Sequence, residues 1–193
     1  MDCTTGTGRG ALIVVVGPSG AGKDTLMDAA RRHFAGRADI HFVRRVITRP
    51  AEAGGEDHAA VSREEFDRLV AADTFAVWWG AHGLKYGVPR TTCEELARGH
   101  VAVVNGSRSA LRAFGRIFTR VKVISITATP EVLAERLAAR GRESREEILN
   151  RLARAPQEID CDLDVLTIDN SGRLEDTVNA FVTALEEAAA ERV

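Results

Sequence analysis

Proline is scarce in this chain, five in 193 residues. With hydrophobic residues at 45% and charged residues at 28%, that scarcity excludes a disordered, collagenous or low-complexity chain. Excess charge is also missing. A formal net charge of −2 supplies no long-range field to capture nucleic acid or an anionic membrane, so neither is an expected partner and any phosphate chemistry must be local. Long apolar runs are absent near the start: the longest, Ala11–Val16, has six residues, against the roughly 20 that cross a bilayer and the roughly 7–15 of a signal-peptide core. The expectation is a protein of the cytoplasm. Cysteine is rare, and Cys3, Cys93 and Cys161 are odd in number, widely spaced and without a C-x-x-C pair, which supports neither a disulfide framework nor a zinc site. Structural thiols are expected. Lysine is nearly missing: only Lys23, Lys85 and Lys122 stand against 23 arginines, so arginine is the ordinary cation here and its clusters carry less weight than elsewhere.

What is present suits one α/β domain, taken as 10–193, because the chain is long enough for a buried core and short for two independent ones. The β-branched run Ala11–Val16 is too apolar for a half-exposed strand and predicts a strand covered on both faces in a parallel sheet. A glycine-rich turn follows, then a helical pattern from Lys23 to Phe34 that Gly36 can stop. Residues 41–47 read as a second strand and 50–55 as a mobile loop. Ser62-Arg63-Glu64-Glu65 fits a capping box opening a helix to about Ala72, and strand-like pieces at 75–79 and 84–88 flank a polar turn at His82-Gly83. Together 48–90 look like an inserted subdomain. Residues 101–104 and 121–127 are further buried strands joined by a helix over 107–118, an alternation that implies right-handed βαβ crossovers. Thr129-Pro130-Glu131 starts a helix that should run to about Arg140, and Ser144-Arg145-Glu146-Glu147 opens another, leaving a hinge at 140–143. The last strand is 163–168 and the last helix 174–190.

Gly17-Pro18-Ser19-Gly20-Ala21-Gly22-Lys23 matches G-x-x-x-x-G-K between a buried strand and a helix, the context that motif requires. Glycines let successive backbone N–H groups converge on phosphate oxygens, the helix N-terminus adds partial positive charge, and Lys23 reaches the terminal phosphates of a nucleoside triphosphate. Asp24 then stands where Ser or Thr usually meets Mg²⁺, with Thr25 one place on. Two readings stay open for Asp24: a carboxylate favourable at any helix N-terminus, or a ligand of Mg²⁺ directly or through water.

GPSGAGKDTL, ITRP at 47–50, AAVSREEF at 59–66, HGLKYG at 82–87 and RLAARGRESREEILNRL at 136–152, in that order, resemble the guanylate kinase family over roughly 10–175. The resemblance implies an α/β P-loop kinase: a parallel-sheet core that binds ATP with Mg²⁺, a small inserted subdomain for the phosphoryl acceptor, and a helical lid over about 136–154. In the lid Arg140, Arg142 and Arg151 match the family's arginines, and Asn170 falls near its adenine-side loop. The acceptor site departs from a guanylate kinase. Thr48-Arg49 is kept, but the second arginine of that motif has no counterpart before Gly54; Val77 stands where the family's acid reads the guanine edge; and Asn105 stands at an acidic position. A purine amino group buried against Val77 would lack its acceptor, at a cost of about 1–3 kcal/mol.

What remains is similar to the branch that phosphorylates ribose 1,5-bisphosphate to 5-phospho-α-D-ribose 1-diphosphate in phosphonate breakdown. Arg44-Arg45-Val46-Ile47-Thr48-Arg49-Pro50, Tyr86-Gly87-Val88 and Val103-Val104-Asn105-Gly106-Ser107-Arg108 carry that likeness. An acceptor without a base needs cations for two phosphates, and Arg44, Arg45, Arg49 and Arg108 are candidates, although strand alternation lets only one of Arg44 and Arg45 face the site. Asp57, His58, Tyr86 and Asn105 are further candidates for the acceptor pocket. Trp78 and Trp79 are read as bulky core of the inserted sheet in preference to a sugar-stacking platform, and His82 as a turn residue. A nucleoside monophosphate kinase and a non-catalytic interaction module remain as alternatives. The expected partner is a small phosphorylated sugar, and a homodimer is left open.

Overall fold

The computed structural model describes residues 10–51, 56–139 and 162–191. Its centre is β1 (Ala11–Val16), whose six side chains are all buried. The strand lies in a five-stranded, wholly parallel sheet with β2 (Ile40–Phe42), β7 (Val101–Asn105), β8 (Val121–Thr127) and β9 (Asp164–Asp169), in the order β2-β7-β1-β8-β9. Because side chains alternate along a strand, Ile13 and Val15 enter one apolar layer and Leu12, Val14 and Val16 the other. The first layer is closed by α1 (Lys23–His33) and α6 (Leu174–Ala190), through Leu26, Met27, Phe181 and Leu185. The second is closed by α4 (Leu111–Ile117) through Leu111 and Phe114, and by Val77 and Trp79 from the inserted segment. Each fully buried side chain of that size contributes about 1.5–3 kcal/mol, so both faces hold the strand on which the phosphate loop hangs.

The expected strand over 41–47 divides in two. Val43 N makes the last bond to the core sheet, to Val103 O at 2.9 Å, and β3 (Val46–Ile47) instead pairs antiparallel with β6 (Leu84–Pro89). Two consecutive arginines cannot continue a strand covered on both faces, and at Arg44-Arg45 the chain changes sheets. The second sheet runs β4-β3-β6-β5, with β4 (Ala59–Ala60) and β5 (Phe75–Ala81), and carries α2 (Arg63–Ala71), whose N-cap Ser62 Oγ accepts from Glu65 N. Hairpin β5–β6 turns on His82 (φ 51°) and Gly83 (φ 73°), the two left-handed positions of a type I′ turn. The expected helix over 107–118 begins as a 3₁₀ turn, Arg108–Ala110, before α4. A short helix that the sequence reading passed over, α3 (Thr91–Ala97), follows β6. Its Cys93 departs from the expected structural thiol: it is disulfide-bonded, because spacing along the chain carries no information on which thiols meet in space. Helix α5 (Pro130–Ala138) starts at Thr129, whose Oγ1 accepts from Val132 N. Among the described residues no helix is long and apolar enough to cross a membrane.

Candidate active site

The loop between β1 and α1 is shaped by close approaches that only glycine permits. A Cβ on Gly17 (φ +152°) would lie 2.2 Å from Ile126 O, and one on Gly22 (φ +89°) 2.4 Å from Asn170 Nδ2. Lys23 Nζ folds back and donates to Gly17 O (2.8 Å) and Pro18 O (3.0 Å), bracing the loop where a phosphate chain would lie. Burial pushes the Lys23 pKa from 10.5 down to about 8; Arg45 and Arg108 act in the same direction, while Asp24 and Glu56 oppose them. Ser19 and Thr25 are exposed on the outer side, and Gly20 and Ala21 are buried beneath the loop. From the end of β9, Asn170 Nδ2 donates to Ala21 O at 2.7 Å, so the last strand clamps the first loop. Arg136 of α5 donates from Nη2 to Asn170 O (2.9 Å), and its Nη1 lies 3.9 Å from the place a Gly22 Cβ would take. Arg136 Nη1 and Asn170 Oδ1 are buried and have no hydrogen-bond partner among the described residues. An unsatisfied guanidinium nitrogen beside glycine-lined backbone at a helix N-terminus is a fit for an anionic oxygen.

On the other side of Lys23 a buried polar chain joins the two sheets. Asn105, at the carboxyl end of β7, donates from Nδ2 both to Asp24 Oδ1 (3.0 Å) and to Glu56 Oε2 (2.6 Å). Glu56 Oε1 accepts from Arg45 Nε at 2.8 Å and pairs with Nη2 at 2.5 Å, and both side chains are almost wholly buried. The Arg45 guanidinium lies over Tyr86 (5.0 Å to the ring centroid) and Trp79 (5.6 Å), which are themselves stacked at 5.4 Å. Arg45 thus has a carboxylate on one side and an aromatic slab on the other, a site where guanidinium is favoured over ammonium. Arg44 points the opposite way and pairs with Asp57 in an exposed bridge.

Arg49 is set by the second sheet and by a histidine. Thr48 N donates to Lys85 O (3.1 Å) and Thr48 Oγ1 accepts from Lys85 N (2.9 Å), extending the β3–β6 ladder to the residue before Arg49. Buried His58 then closes the loop: Nδ1 lies 2.9 Å from Glu56 O and Nε2 3.1 Å from Arg49 O, each a hydrogen bond when that nitrogen carries the proton. Arg49 Nη2 is 3.3 Å from His58 Nδ1, and Arg49 Nε is buried with no hydrogen-bond partner among the described residues. Burial also lowers the Arg108 pKa from its ordinary value.

Of the residues singled out in the sequence, Asp24, Arg45 and Asn105 meet in one network through Glu56, Lys23 lies within its electrostatic reach while bonding the loop carbonyls, and Arg49 and His58 adjoin it. Arg44 and Asp57 form their own surface pair, Tyr86 supports Arg45, and Asn170 holds the loop from the opposite side. Arg140, Arg142 and Arg151 lie outside the described residues. Two participants were not selected from the sequence. Glu56 sits beside a loop read as mobile, and its signal was an acid between the arginines expected to meet phosphate. Arg136 opens the stretch expected to form the lid, and its separation of 34 positions from Asn170 carries no sequence signal that the two meet. Val77 is buried in the second apolar layer. Among the described residues no three His, Cys, Asp or Glu side chains converge as a metal site; Asp24 and the Asn105 amide offer the hard oxygens that suit Mg²⁺.

The chain matches the guanylate kinase family over residues 9–188. It is 55% identical over 186 residues to the ribose 1,5-bisphosphate phosphokinase PhnN of Rhizobium etli, covering 96% of this chain and 94% of that protein. It is 54% identical over 178 residues to the protein of the same name from Agrobacterium fabrum, covering 92% and 97%. Among solved structures, the guanylate kinase of Anaplasma phagocytophilum shares the fold at a TM-score of 0.65 and 22% identity, with 94% of this chain and 87% of that one covered.

Proposed function

Because the chain belongs to the guanylate kinase family, we propose that its phosphate loop serves ATP-dependent phosphorylation of ribose 1,5-bisphosphate, the substrate in the names of the Rhizobium and Agrobacterium relatives. On this reading the product is 5-phospho-α-D-ribose 1-diphosphate and the enzyme acts in phosphonate catabolism; we further propose that it works in the cytoplasm. The observation that carries this choice of acceptor is that Glu56, the acid beside the acceptor arginines, is already held by Arg45 and Asn105, while Val77, at the position expected to read a base edge, is apolar and buried in the second layer; among the described residues neither position offers a free edge-reading acid.

Residues 17–22 and Lys23 hold the donor phosphates, Asn170 lies on the side of the donor base, and Arg136 Nη1 adds a cation at the loop. Asp24, oriented by Asn105, would hold Mg²⁺ directly or through water, and the ion would supply positive charge against the phosphates. Arg49 and Arg108 face the acceptor phosphates, Arg49 with a buried N–H left to give. A phosphate monoester has its second pKa near 6, so the attacking oxygen is already an anion at neutral pH and the protein needs no general base. What the chain must do is hold two anions in line and cancel their repulsion. Residues 10–193 act as one kinase domain, 48–90 as the acceptor-binding insert, and about 136–154 as a lid whose Arg140, Arg142 and Arg151 close over the transferred group and exclude water.

The test is kcat/KM by coupled ADP release with ribose 1,5-bisphosphate, GMP and AMP. Ribose 1,5-bisphosphate should exceed GMP by about 10⁴-fold, since a site built to bond two acceptor phosphates leaves buried cations unpaired when the acceptor brings only one. A ratio favouring GMP overturns the reading.

A further inference from the structure

A carboxylate is out of place in a site built for two phosphates, yet Glu56 stands between the phosphate loop and the acceptor arginine. Its side chain reaches Asn105 and, through it, Asp24 beside Lys23; its backbone carbonyl meets His58, which also contacts Arg49. Its charge acts on the Lys23 ammonium, so it lies within electrostatic range of the transfer. Resting on the ribose 1,5-bisphosphate reading, we propose that Glu56 is the hydroxyl-recognising residue of the acceptor site and accepts a hydrogen bond from the ribose 2-hydroxyl.

Three observations lead there. Arg45 neutralises Glu56 through Oε1, which removes most of the repulsion toward a bisphosphate. Asn105 takes only part of the accepting capacity of Oε2, because a carboxylate has about four lone-pair positions and three N–H groups reach this one. The remaining position can only accept. An ionised ribose bisphosphate presents phosphate oxygens that also only accept, so its sugar hydroxyls are the donors available to complete Glu56. The 2-hydroxyl neighbours C1, whose phosphate must lie near Lys23 to be phosphorylated. His58 fixes the remaining relation: one ring touches the backbone of Glu56 and both the backbone and side chain of Arg49, so a phosphate cation and a hydroxyl acceptor stand at the two ends of one closed loop.

The experiment compares kcat/KM for ribose 1,5-bisphosphate and 2-deoxyribose 1,5-bisphosphate in the wild-type enzyme and in Glu56→Gln. Wild type should prefer the ribose compound by about 10- to 100-fold, the range of a hydrogen bond to a charged acceptor, and Glu56→Gln should narrow that ratio by about tenfold. A strut that merely holds Arg45 would lower both acceptors equally and leave the ratio as it was. If Glu56→Gln does not fold, Glu56→Asp keeps the charge beside Arg45 while withdrawing the oxygen by one methylene, and the same narrowing is read. A wild-type enzyme indifferent to the 2-hydroxyl, or a ratio unchanged by both variants, overturns the role of Glu56 alone. No transfer to ribose 1,5-bisphosphate by wild type overturns the functional reading and this inference with it.

Discussion

Replacing Asn105→Asp would exchange a two-proton donor for an acceptor at a point where both partners are carboxylates. The amide nitrogen lies 3.0 Å from Asp24 Oδ1 and 2.6 Å from Glu56 Oε2, so the variant loses two charge-assisted hydrogen bonds and brings a third negative group into contact with two others. Like charges this close cannot all ionise, and one carboxyl keeps a proton at pH 7. Holding it there, about three pH units above its ordinary value, costs about 4 kcal/mol; the retained proton restores one hydrogen bond, and the other stays lost at about 1.5–3 kcal/mol. Relaxation toward the solvent edge of Glu56 offsets part of this, for a net destabilisation of about 4–6 kcal/mol at pH 7. Because the folded variant binds one proton that its unfolded chain releases near pH 4, the deficit grows with rising pH and shrinks by about 2.7 kcal/mol between pH 7 and pH 5. Urea denaturation followed by Trp78 and Trp79 fluorescence, for both proteins at both pH values with EDTA present, measures it. A deficit below about 1 kcal/mol, or one equal at pH 5 and pH 7, would refute the bridging role of Asn105.

Lys23→Met should abolish transfer, because the ammonium acts most strongly on charge that develops between the phosphates. Its stability should also cross that of wild type: with a folded pKa of about 8 against 10.5, the folded chain sheds a proton that the unfolded chain keeps, so wild-type stability rises across that window. The difference between the two proteins should shift toward wild type by about 3 kcal/mol between pH 7 and 10.5; a constant difference in urea midpoints contradicts the buried-ammonium account. Gly22→Ala should cost about 2–3 kcal/mol, from left-handed strain and displacement of Asn170 from Ala21 O. In an Asn170→Ala background the same change should cost about 1 kcal/mol less, and equal costs in the two backgrounds would show that the clash is not the cause.

The donor half of the site was legible because its parts are consecutive: strand, glycine loop, lysine and helix occupy residues 11–33, and local chemistry dictates their geometry. The central strands β1, β7 and β8 were legible for the same reason, each being a short stretch rich in consecutive apolar, mostly β-branched residues. The acceptor half was not, because it is assembled across distance. Arg45 reads as a phosphate cation until Glu56, eleven positions on, meets it beneath Tyr86. Asn105 reads as the loss of an acid until its amide is seen joining Asp24, 81 positions away, to Glu56, 49 positions away. The break of the 41–47 strand has the same origin, since periodicity continues through Val46 and Ile47 while the arginines between carry the chain into another sheet.

The chain from Arg45 through Glu56 and Asn105 to Asp24 also constrains how this enzyme can diverge. Each member satisfies the next, so a change at 45 alone strands a buried carboxylate, and a change at 56 alone strands a buried guanidinium; either single step loses several kcal/mol before any new acceptor is gained. A lineage drifting toward another phosphoryl acceptor would have to replace these residues together, or first acquire stability elsewhere to survive the intermediate. The network thus makes the acceptor preference historically sticky: sites 45, 56 and 105 are coupled in their effects on fitness, while Asp57, paired with Arg44 on the surface, is far less constrained.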